Sequence, residues 1–303
     1  MDLLPQLITY VCILVFVTAI IVRFRRIQSY PIHLRWELYP VPHEGKRAEH
    51  GGSRHEELDW WTKERHRDRV MQCKYMLQEM IFIKALKENN PKLWCFSFPF
   101  HFGLYVIAAF AALLVASAAL GLAGVRVGPG VEGALTAIGL GGMALTILGG
   151  LGLLAMRLTD AEMKPYTNPS HIFNLLLIVA TLVLMVLALW QAGWSAGPLL
   201  VYVASLLTLS PASSPTAPLI TPAVIAASLL LAYIPLTHMS HFFVKWFTWD
   251  KIRWDDEPNV KGGRIEKMIE RALMYPVSWS ADHIRGDGKK TWADVATEEW
   301  KSK

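Results

Sequence analysis

The sequence contains few cysteines, and they are widely spaced. Cys12, Cys73 and Cys95 form no Cys-x-x-Cys pair and no other metal-ligand spacing. We therefore expect neither an iron–sulfur cluster nor a disulfide framework in this chain. The six histidines of the polar tracts do not suggest a zinc site either, because their intervals are irregular and no cysteine accompanies them. These are expected to be surface residues: His33, His43, His50, His55, His66 and His283.

Charged residues are nearly absent from five long apolar blocks. A helix needs about 20 residues to cross the hydrocarbon layer of a bilayer, and blocks of this length lie at roughly 3–22, 102–124, 134–156, 171–190 and 220–247. The sequence therefore predicts an all-α membrane protein with a bundle of five transmembrane helices. We divide the chain into a first transmembrane helix (1–22), a cytoplasmic arm with an interfacial amphipathic helix (23–100), a four-helix membrane region (101–247) and a cytoplasmic C-terminal tail (248–303).

Basic residues are scarce on one side of these spans. With the N-terminus outside, the outer segments 1–3, 125–133 and 191–219 contain only Arg126 of the 30 Lys and Arg residues. Because cytoplasmic loops carry the excess of Lys and Arg, we predict an outer N-terminus and a cytoplasmic C-terminus. This bias accounts for the net charge of +5 without a nucleic-acid partner. The first span lacks a basic n-region and a small-residue cleavage site, so it is expected to be a retained helix.

Shorter patterns predict the elements around the spans. Gly142, Thr146 and Gly150 follow one stripe of the third span, which favours close helix packing over contact with a flat cofactor. Amphipathic helices are predicted in "RVMQCKYMLQEMIFIKALKEN" and "GGRIEKMIERALM". The uncharged outer segment 191–219 is expected to contain a short re-entrant or interfacial piece.

Four histidines lie at the ends of predicted spans. His101 opens the second span, His171 opens the fourth, and His238 and His241 lie near the end of the fifth. In the predicted orientation all four fall at a similar depth, towards the inner face. On one continuous helix, His238 and His241 would point about 60° apart, so that one faces the second span and the other the fourth.

Four imidazoles at one level suit the ligation of haem iron by histidine pairs. Neutral imidazole is a good iron ligand, and bundle cofactors are held by side chains from facing helices. The alternatives are core histidines bonded to carbonyl groups, a metal-ion transporter and a proton relay. No Asp or Glu accompanies the histidines within the spans, which disfavours the last two.

Several segments resemble a known family of membrane cytochromes b. The five-span plan, "FPFHFGLY" and "PLTHMSHFF" resemble the respiratory nitrate reductase gamma-subunit family. The segments "YPIHLRWELYPV", "KYMLQEMIFIKAL" and "GDGKKTWADVA" are similar to the cytochrome b subunits of the Tmc and Dsr electron-transfer complexes of sulfate-reducing anaerobes. The resemblance implies a haem b subunit of the cell inner membrane that exchanges electrons between menaquinone and a cytoplasmic iron–sulfur subunit of the heterodisulfide-reductase type. A periplasmic multihaem cytochrome c is the further partner that it implies.

The same resemblance gives ligand roles to two of the histidines. His101 in "FHFG" and His241, six residues after Pro235, are implied as axial ligands of the haem nearer the cytoplasm. The second histidine pair of the family falls on Ala111 and Ala223, so an outer haem cannot be ligated in the family's way.

The remaining histidines leave two alternatives open. His171 and His238 hold a second haem, or the chain has one haem and they serve a quinone or haem propionates. Arg157, at the inner end of the third span, is expected either to pair with a haem propionate or to be one more inner-face cation. For the chain as a whole, a non-redox membrane anchor is the alternative function.

Overall fold

The computed structural model describes residues 3–29, 58–59, 62, 69–125, 128–211, 217–245, 247, 259–281 and 283–299. Residues 30–57, 60–61 and 63–68 of the predicted arm lie outside the described residues, and so does Arg126. The undescribed part of the arm includes His33, His43, His50, His55 and His66. The chain divides into two compact units. The first contains Met1–Ala19 and Leu77–Met239, and the second contains Ile20–Met76 and Ser240–Lys303.

Helices account for nearly all the regular structure of the described residues. They are α1 (Leu4–Ser29), α2 (Arg69–Phe82), α3 (Lys84–Asn89), α4 (Pro91–Leu122), α5 (Pro129–Thr159), α6 (Pro169–Gln191), α7 (Gly197–Thr208), α8 (Ile220–Tyr233), α9 (His241–Lys245), α10 (Arg264–Leu273) and α11 (Trp292–Thr297). Single 3₁₀ turns occur at Lys164–Tyr166, Ile234–Leu236 and His238–Ser240. Two short antiparallel strands, β1 (Ser280–Ala281) and β2 (Ile284–Arg285), form a hairpin in the second unit.

Four of these helices are long and apolar enough to cross a membrane, namely α1, α4, α5 and α6. A fifth span results if Ile220–Leu236 and His238–Lys245 are counted together. The prediction of an all-α membrane protein is therefore confirmed, with four or five candidate spans. Segment 191–219, for which a short re-entrant or interfacial piece is predicted, contains helix α7. The predicted C-terminal amphipathic helix is α10.

The second span begins eleven residues before the predicted apolar block, at Pro91. The side chain of Asn90 accepts a hydrogen bond from the backbone N–H of Leu93 at 2.9 Å, and Pro91 occupies the first helical position, where its missing N–H costs nothing. The prediction that His101 opens this span is therefore wrong. His101 lies ten residues inside α4, two positions after Pro99.

The fifth span is interrupted just before the two histidines near its end. Helix α8 ends at Tyr233, and Thr237 is extended, with φ −115° and ψ −175°. Pro235 explains the break, because it has no N–H to donate and its ring clashes with the preceding turn. His238 lies in a 3₁₀ turn and His241 begins α9. Both residues lie in the helical segment His238–Lys245 that follows the break, so the prediction of one continuous helix through the fifth span is wrong. Because this segment begins with a 3₁₀ turn, the 60° angle of a regular α-helix does not apply to it.

Small residues bring α4 and α5 close together. Thr146 of α5 is fully buried. A Cβ atom on Gly103 of α4 would lie 2.6 Å from the backbone nitrogen of Thr146 and 2.7 Å from the carbonyl oxygen of Gly142. At Gly150, a Cβ atom would lie 2.9 Å from Val179 of α6. The interpretation of the small-residue stripe as a helix-packing surface is confirmed.

Buried hydroxyl groups connect α1 to α7 and α8. Thr9 Oγ1 lies 2.7 Å from Tyr202 Oη and 2.8 Å from Ser228 Oγ. Gln6 Nε2 donates to Ser205 Oγ at 2.8 Å. Lipid tails are as apolar as the helix surfaces, so hydrogen bonds of this kind help to hold membrane helices together.

The amphipathic stretch before the second span forms two helices, α2 and α3, and not one. Ile83 separates them with a φ of 50°, and the buried carboxylate of Glu79 accepts the backbone N–H of Ala85 at 2.8 Å. Trp94 Nε1 donates to the carbonyl oxygen of Phe82 at 2.7 Å. This bond joins the end of α2 to the first turn of α4.

Candidate functional site

His101 is oriented by the preceding turn of its own helix. Its Nδ1 lies 2.7 Å from the backbone carbonyl oxygen of Ser97 and 3.3 Å from Ser97 Oγ. A carbonyl oxygen can only accept, so Nδ1 carries the hydrogen and the lone pair of the neutral ring is on Nε2. Histidines that bind metals typically donate their other ring N–H to a carbonyl or a carboxylate in this way. His101 is therefore bonded to a carbonyl group of its own helix, as a core histidine can be, and its tautomer is also the one that iron ligation through Nε2 requires.

His171 has the opposite hydrogen-bond environment. It is the third residue of α6, and its Nδ1 accepts from the backbone N–H of Asn168 at 3.4 Å and from Arg157 Nη1 at 3.3 Å. A guanidinium group only donates, so Nδ1 carries the lone pair and Nε2 carries the hydrogen. The side chain of Asn168 accepts the backbone N–H of His171 at 3.2 Å, which completes a capping box. The start of α6 therefore fixes both the position and the tautomer of His171.

His238 contacts His171 directly. The two ring centroids are 5.1 Å apart, with an edge-to-face angle of 80°. Asn174 Nδ2 lies 3.3 Å from Nε2 of His238 and 3.5 Å from Nδ1. Tyr233 Oη donates to Asn174 Oδ1 at 2.9 Å, which fixes the amide with its N–H groups towards His238. Asn174 is buried, whereas His238 is exposed.

Arg157 is a half-buried cation at the end of α5. Its Nη1 donates to Thr167 Oγ1 at 3.5 Å and to His171 Nδ1 at 3.3 Å. Within the part of the chain that the structure describes, no carboxylate pairs with this guanidinium. The first unit thus brings together three of the predicted site residues, Arg157, His171 and His238. We call these three residues the inner polar cluster.

His241 belongs to the second unit. It is the exposed first residue of α9 and follows the buried Ser240. Arg23, near the end of α1, donates to Ser240 Oγ at 2.6 Å. Phe24 and Phe247 pack edge to face with centroids 4.9 Å apart. These contacts connect the end of α1 to the chain on both sides of His241.

Three residues of the site were not predicted from the sequence. Ser97 lies four positions before His101 and Asn174 three positions after His171. Since residues with these spacings share one face of a helix, both spacings were available as signals. Tyr233 gave no such signal, because its contact with Asn174 joins two helices.

The donor chemistry of the site fits haem better than a metal ion held by side chains alone. Among the described residues, no group of three or more His, Cys, Asp or Glu side chains could hold a metal ion. Haem iron requires only axial ligands from the protein, and histidine is a common one. The tautomer of His101 meets this requirement.

A bundle of apolar helices with oriented imidazoles defines a helical membrane protein suited to bind a redox cofactor. The sequence profile of the nitrate reductase gamma subunit family matches residues 86–251, more than half of the 303-residue chain. The chain belongs to this family. No curated protein and no solved structure matches it. Family members are membrane cytochrome b subunits of redox complexes, bind haem b and associate with catalytic subunits, so the chain has a general role in electron transfer.

Proposed function

We propose that the chain is the haem b subunit of a respiratory complex that passes electrons between menaquinone and an iron–sulfur subunit. The observation that carries this proposal is the 2.7 Å contact from His101 Nδ1 to the carbonyl oxygen of Ser97, which places the hydrogen of the neutral ring on Nδ1, as in many histidines that bind metals through Nε2. The second axial ligand is His241, assigned from its position six residues after Pro235. Bound haem b would exchange single electrons, and the ligands, burial and hydrogen bonds around it would set its potential.

The orientation in the membrane, the partner proteins and the kind of respiration are inferred from the charge pattern and the resemblance. The Lys and Arg bias supports an outer N-terminus and a cytoplasmic C-terminus in the cell inner membrane. The arm and the tail then face the cytoplasm, where a partner of the heterodisulfide-reductase type would dock. The resemblance to Tmc and Dsr subunits supports this partner, a periplasmic multihaem cytochrome c and a role in anaerobic respiration. Arg157, His171 and His238 are further candidates for cofactor binding.

A pyridine haemochrome assay on the purified full chain tests the haem assignment. We expect a haem b spectrum with at least one haem per chain, and loss of one haem in both His101→Ala and His241→Ala. His283→Ala is the matched control, because this histidine is exposed on the hairpin of the second unit. A wild-type chain without haem would contradict the proposal and leave the non-redox anchor. Retention of haem in His101→Ala would remove that residue as a ligand.

Anaerobic mixing with menadiol tests the quinone part of the proposal. Menadiol is a naphthoquinol without an isoprenoid tail, and we expect it to reduce the bound haem, as measured at the α-band of the visible spectrum. A haem that dithionite reduces and menadiol does not would contradict electron exchange with a naphthoquinone.

A further inference from the structure

The two well-defined histidine tautomers divide the site into two chemically different parts. His101 donates through Nδ1 to a carbonyl oxygen, whereas His171 accepts at Nδ1 from Arg157 and from a backbone N–H. For iron to bind Nε2 of His171, the proton on Nε2 would have to move to Nδ1. There it would face the N–H groups of the guanidinium. The hydrogen bonds of His171 therefore oppose iron ligation.

The contact between His171 and His238 leads to the same conclusion. Metal–imidazole bonds are about 2.0 Å long, so two axial nitrogens lie about 4 Å apart with the iron and its macrocycle between them. The rings of His171 and His238 are instead in direct edge-to-face contact. Asn174 Nδ2, a donor, also lies against both ring nitrogens of His238. Donors thus lie against Nδ1 of His171 and against both ring nitrogens of His238.

We propose that the inner polar cluster binds the headgroup of a quinone and does not bind iron. This inference rests on the proposed function and assigns a site to its substrate. Arg157 uses only Nη1 in its hydrogen bonds within the described residues, so its other guanidinium N–H groups are donors for a ligand. His171 lies beside this guanidinium, with its Nδ1 3.3 Å from Arg157 Nη1. Donors of this kind match the carbonyl oxygens of a 1,4-quinone.

The charge of the cluster also indicates an acceptor ligand. A half-buried cation is stabilised by hydrogen-bond acceptors, and Arg157 has Thr167 Oγ1 and His171 Nδ1 but no carboxylate among the described residues. A quinone carbonyl oxygen would supply a further acceptor. His238 is exposed, so the cluster is open at the surface of the first unit, where a lipid-soluble ligand can enter. Asn174 and Tyr233 act as positioning residues, because they hold His238 in place without facing Arg157.

Direct binding of menadione tests the proposal on the full chain, purified with its haem in detergent. Isothermal titration calorimetry gives the affinity, and the pyridine haemochrome assay gives the haem content of each sample. The variants are Arg157→Gln and His171→Gln, and the control is His283→Gln. Glutamine at position 171 keeps an acceptor for the N–H of Asn168, so the start of α6 is preserved. Far-UV circular dichroism checks the fold.

We expect both cluster variants to bind menadione about tenfold more weakly or worse, which is the loss of about one hydrogen bond. Their haem content should equal that of the wild type, and the control should match the wild type in both measurements. Loss of haem in His171→Gln would overturn the proposal and identify an iron ligand. Unchanged menadione affinity in both variants would also overturn it. An altered haem spectrum in Arg157→Gln together with unchanged menadione affinity would also overturn the proposal, and would assign Arg157 to a haem propionate.

The two proposals fail separately in this experiment. Absence of haem from the wild-type chain contradicts the proposed function, whatever the menadione affinity. Menadione affinity that does not depend on the cluster contradicts the quinone site, whatever the haem content.

Discussion

His101 and His171 each lie within one helical turn of the main-chain group that binds Nδ1, but that group is a carbonyl for His101 and an N–H for His171. The difference follows from their positions in the helices. Deep inside α4, His101 can reach the carbonyl oxygen of Ser97, four residues back. At the third position of α6, His171 meets the N-terminal N–H groups that no earlier turn accepts. The same residue type therefore acquires opposite tautomers from local helix geometry.

The ionisable candidates of the site were readable from the sequence, but their contacts and the partners Ser97, Asn174 and Tyr233 were not. Ionisable residues beside apolar runs stand out, which is why His101, His171, His238, His241 and Arg157 were identified as candidates. Their hydrogen bonds depend on where each helix begins and ends. The capping box of His171 follows from the start of α6 at Pro169, and the contact from Asn174 to Tyr233 requires two helices to meet.

Close backbone contact gives a prediction for one glycine of α5. A Cβ atom on Gly149 would lie 2.5 Å from the backbone nitrogen of Phe100 and 2.7 Å from the carbonyl oxygen of Phe96. Gly149→Ala must push α4 away, so we expect the free energy of unfolding to fall by about 1–3 kcal/mol. SDS titration of the purified protein measures this change.

Gly141→Ala is the matched control on the same helix. A Cβ atom there meets nothing within 4 Å, and alanine favours the helix. We expect its stability to equal or exceed that of the wild type. Equal stability of the Gly149 and Gly141 variants would contradict the close approach of α4 and α5.

At the scale of helices, the sequence predicts the spans better than their ends. Apolar length identifies α1, α4, α5 and α6, because the bilayer sets a minimum number of residues. The aromatic residues before His101 obscure the true start of α4, where Asn90 caps the helix. Pro235 was visible as a potential break, yet the apolar run across it favoured one continuous span. The helix breaks here because proline inside a helix lacks the N–H for the helical hydrogen bond and its ring clashes with the preceding turn.

The attachment of α1 gives a second prediction. Thr9 is buried and bonded to Tyr202 and Ser228, so Thr9→Val removes hydrogen bonds among three helices. We expect a loss of about 1 kcal/mol in the free energy of unfolding, since interhelical hydrogen bonds in membranes contribute little more than that. The control is Thr18→Val on the exposed side of the same helix, which should be neutral in the SDS titration. A loss of equal size in both variants would argue against the network.

At the scale of the whole molecule, the two units are stabilised by different chemistry. The first unit packs apolar and small side chains, and Leu189 and Ala223 are fully buried there. The C-terminal part of the second unit depends on charged side chains that bind the backbone. Asp294 accepts from the backbone N–H of Thr291 at 2.8 Å, and Asp287 accepts from that of Lys290 at 2.7 Å. Acid should therefore act on the second unit before the first.

The sign of this pH dependence follows from the pKa of the two carboxyl groups. Backbone hydrogen bonds, from Lys290 to Asp287 and from Thr291 to Asp294, hold each pKa below its usual range. A carboxyl group with a lowered pKa in the folded state stabilises that state above the unfolded-state pKa of about 3.9. The contribution is lost as the pH falls through the folded-state pKa.

We expect the hydrogen-exchange protection of residues 283–299, corrected for the intrinsic rate, to decrease below about pH 4, while α4–α6 stay protected. Asp294→Asn should weaken this pH dependence, whereas Glu299→Gln should preserve it, because Glu299 is exposed and makes no hydrogen bond to the residues that the structure describes. Equal loss of protection in both units would contradict the assignment of acid sensitivity to these carboxylates.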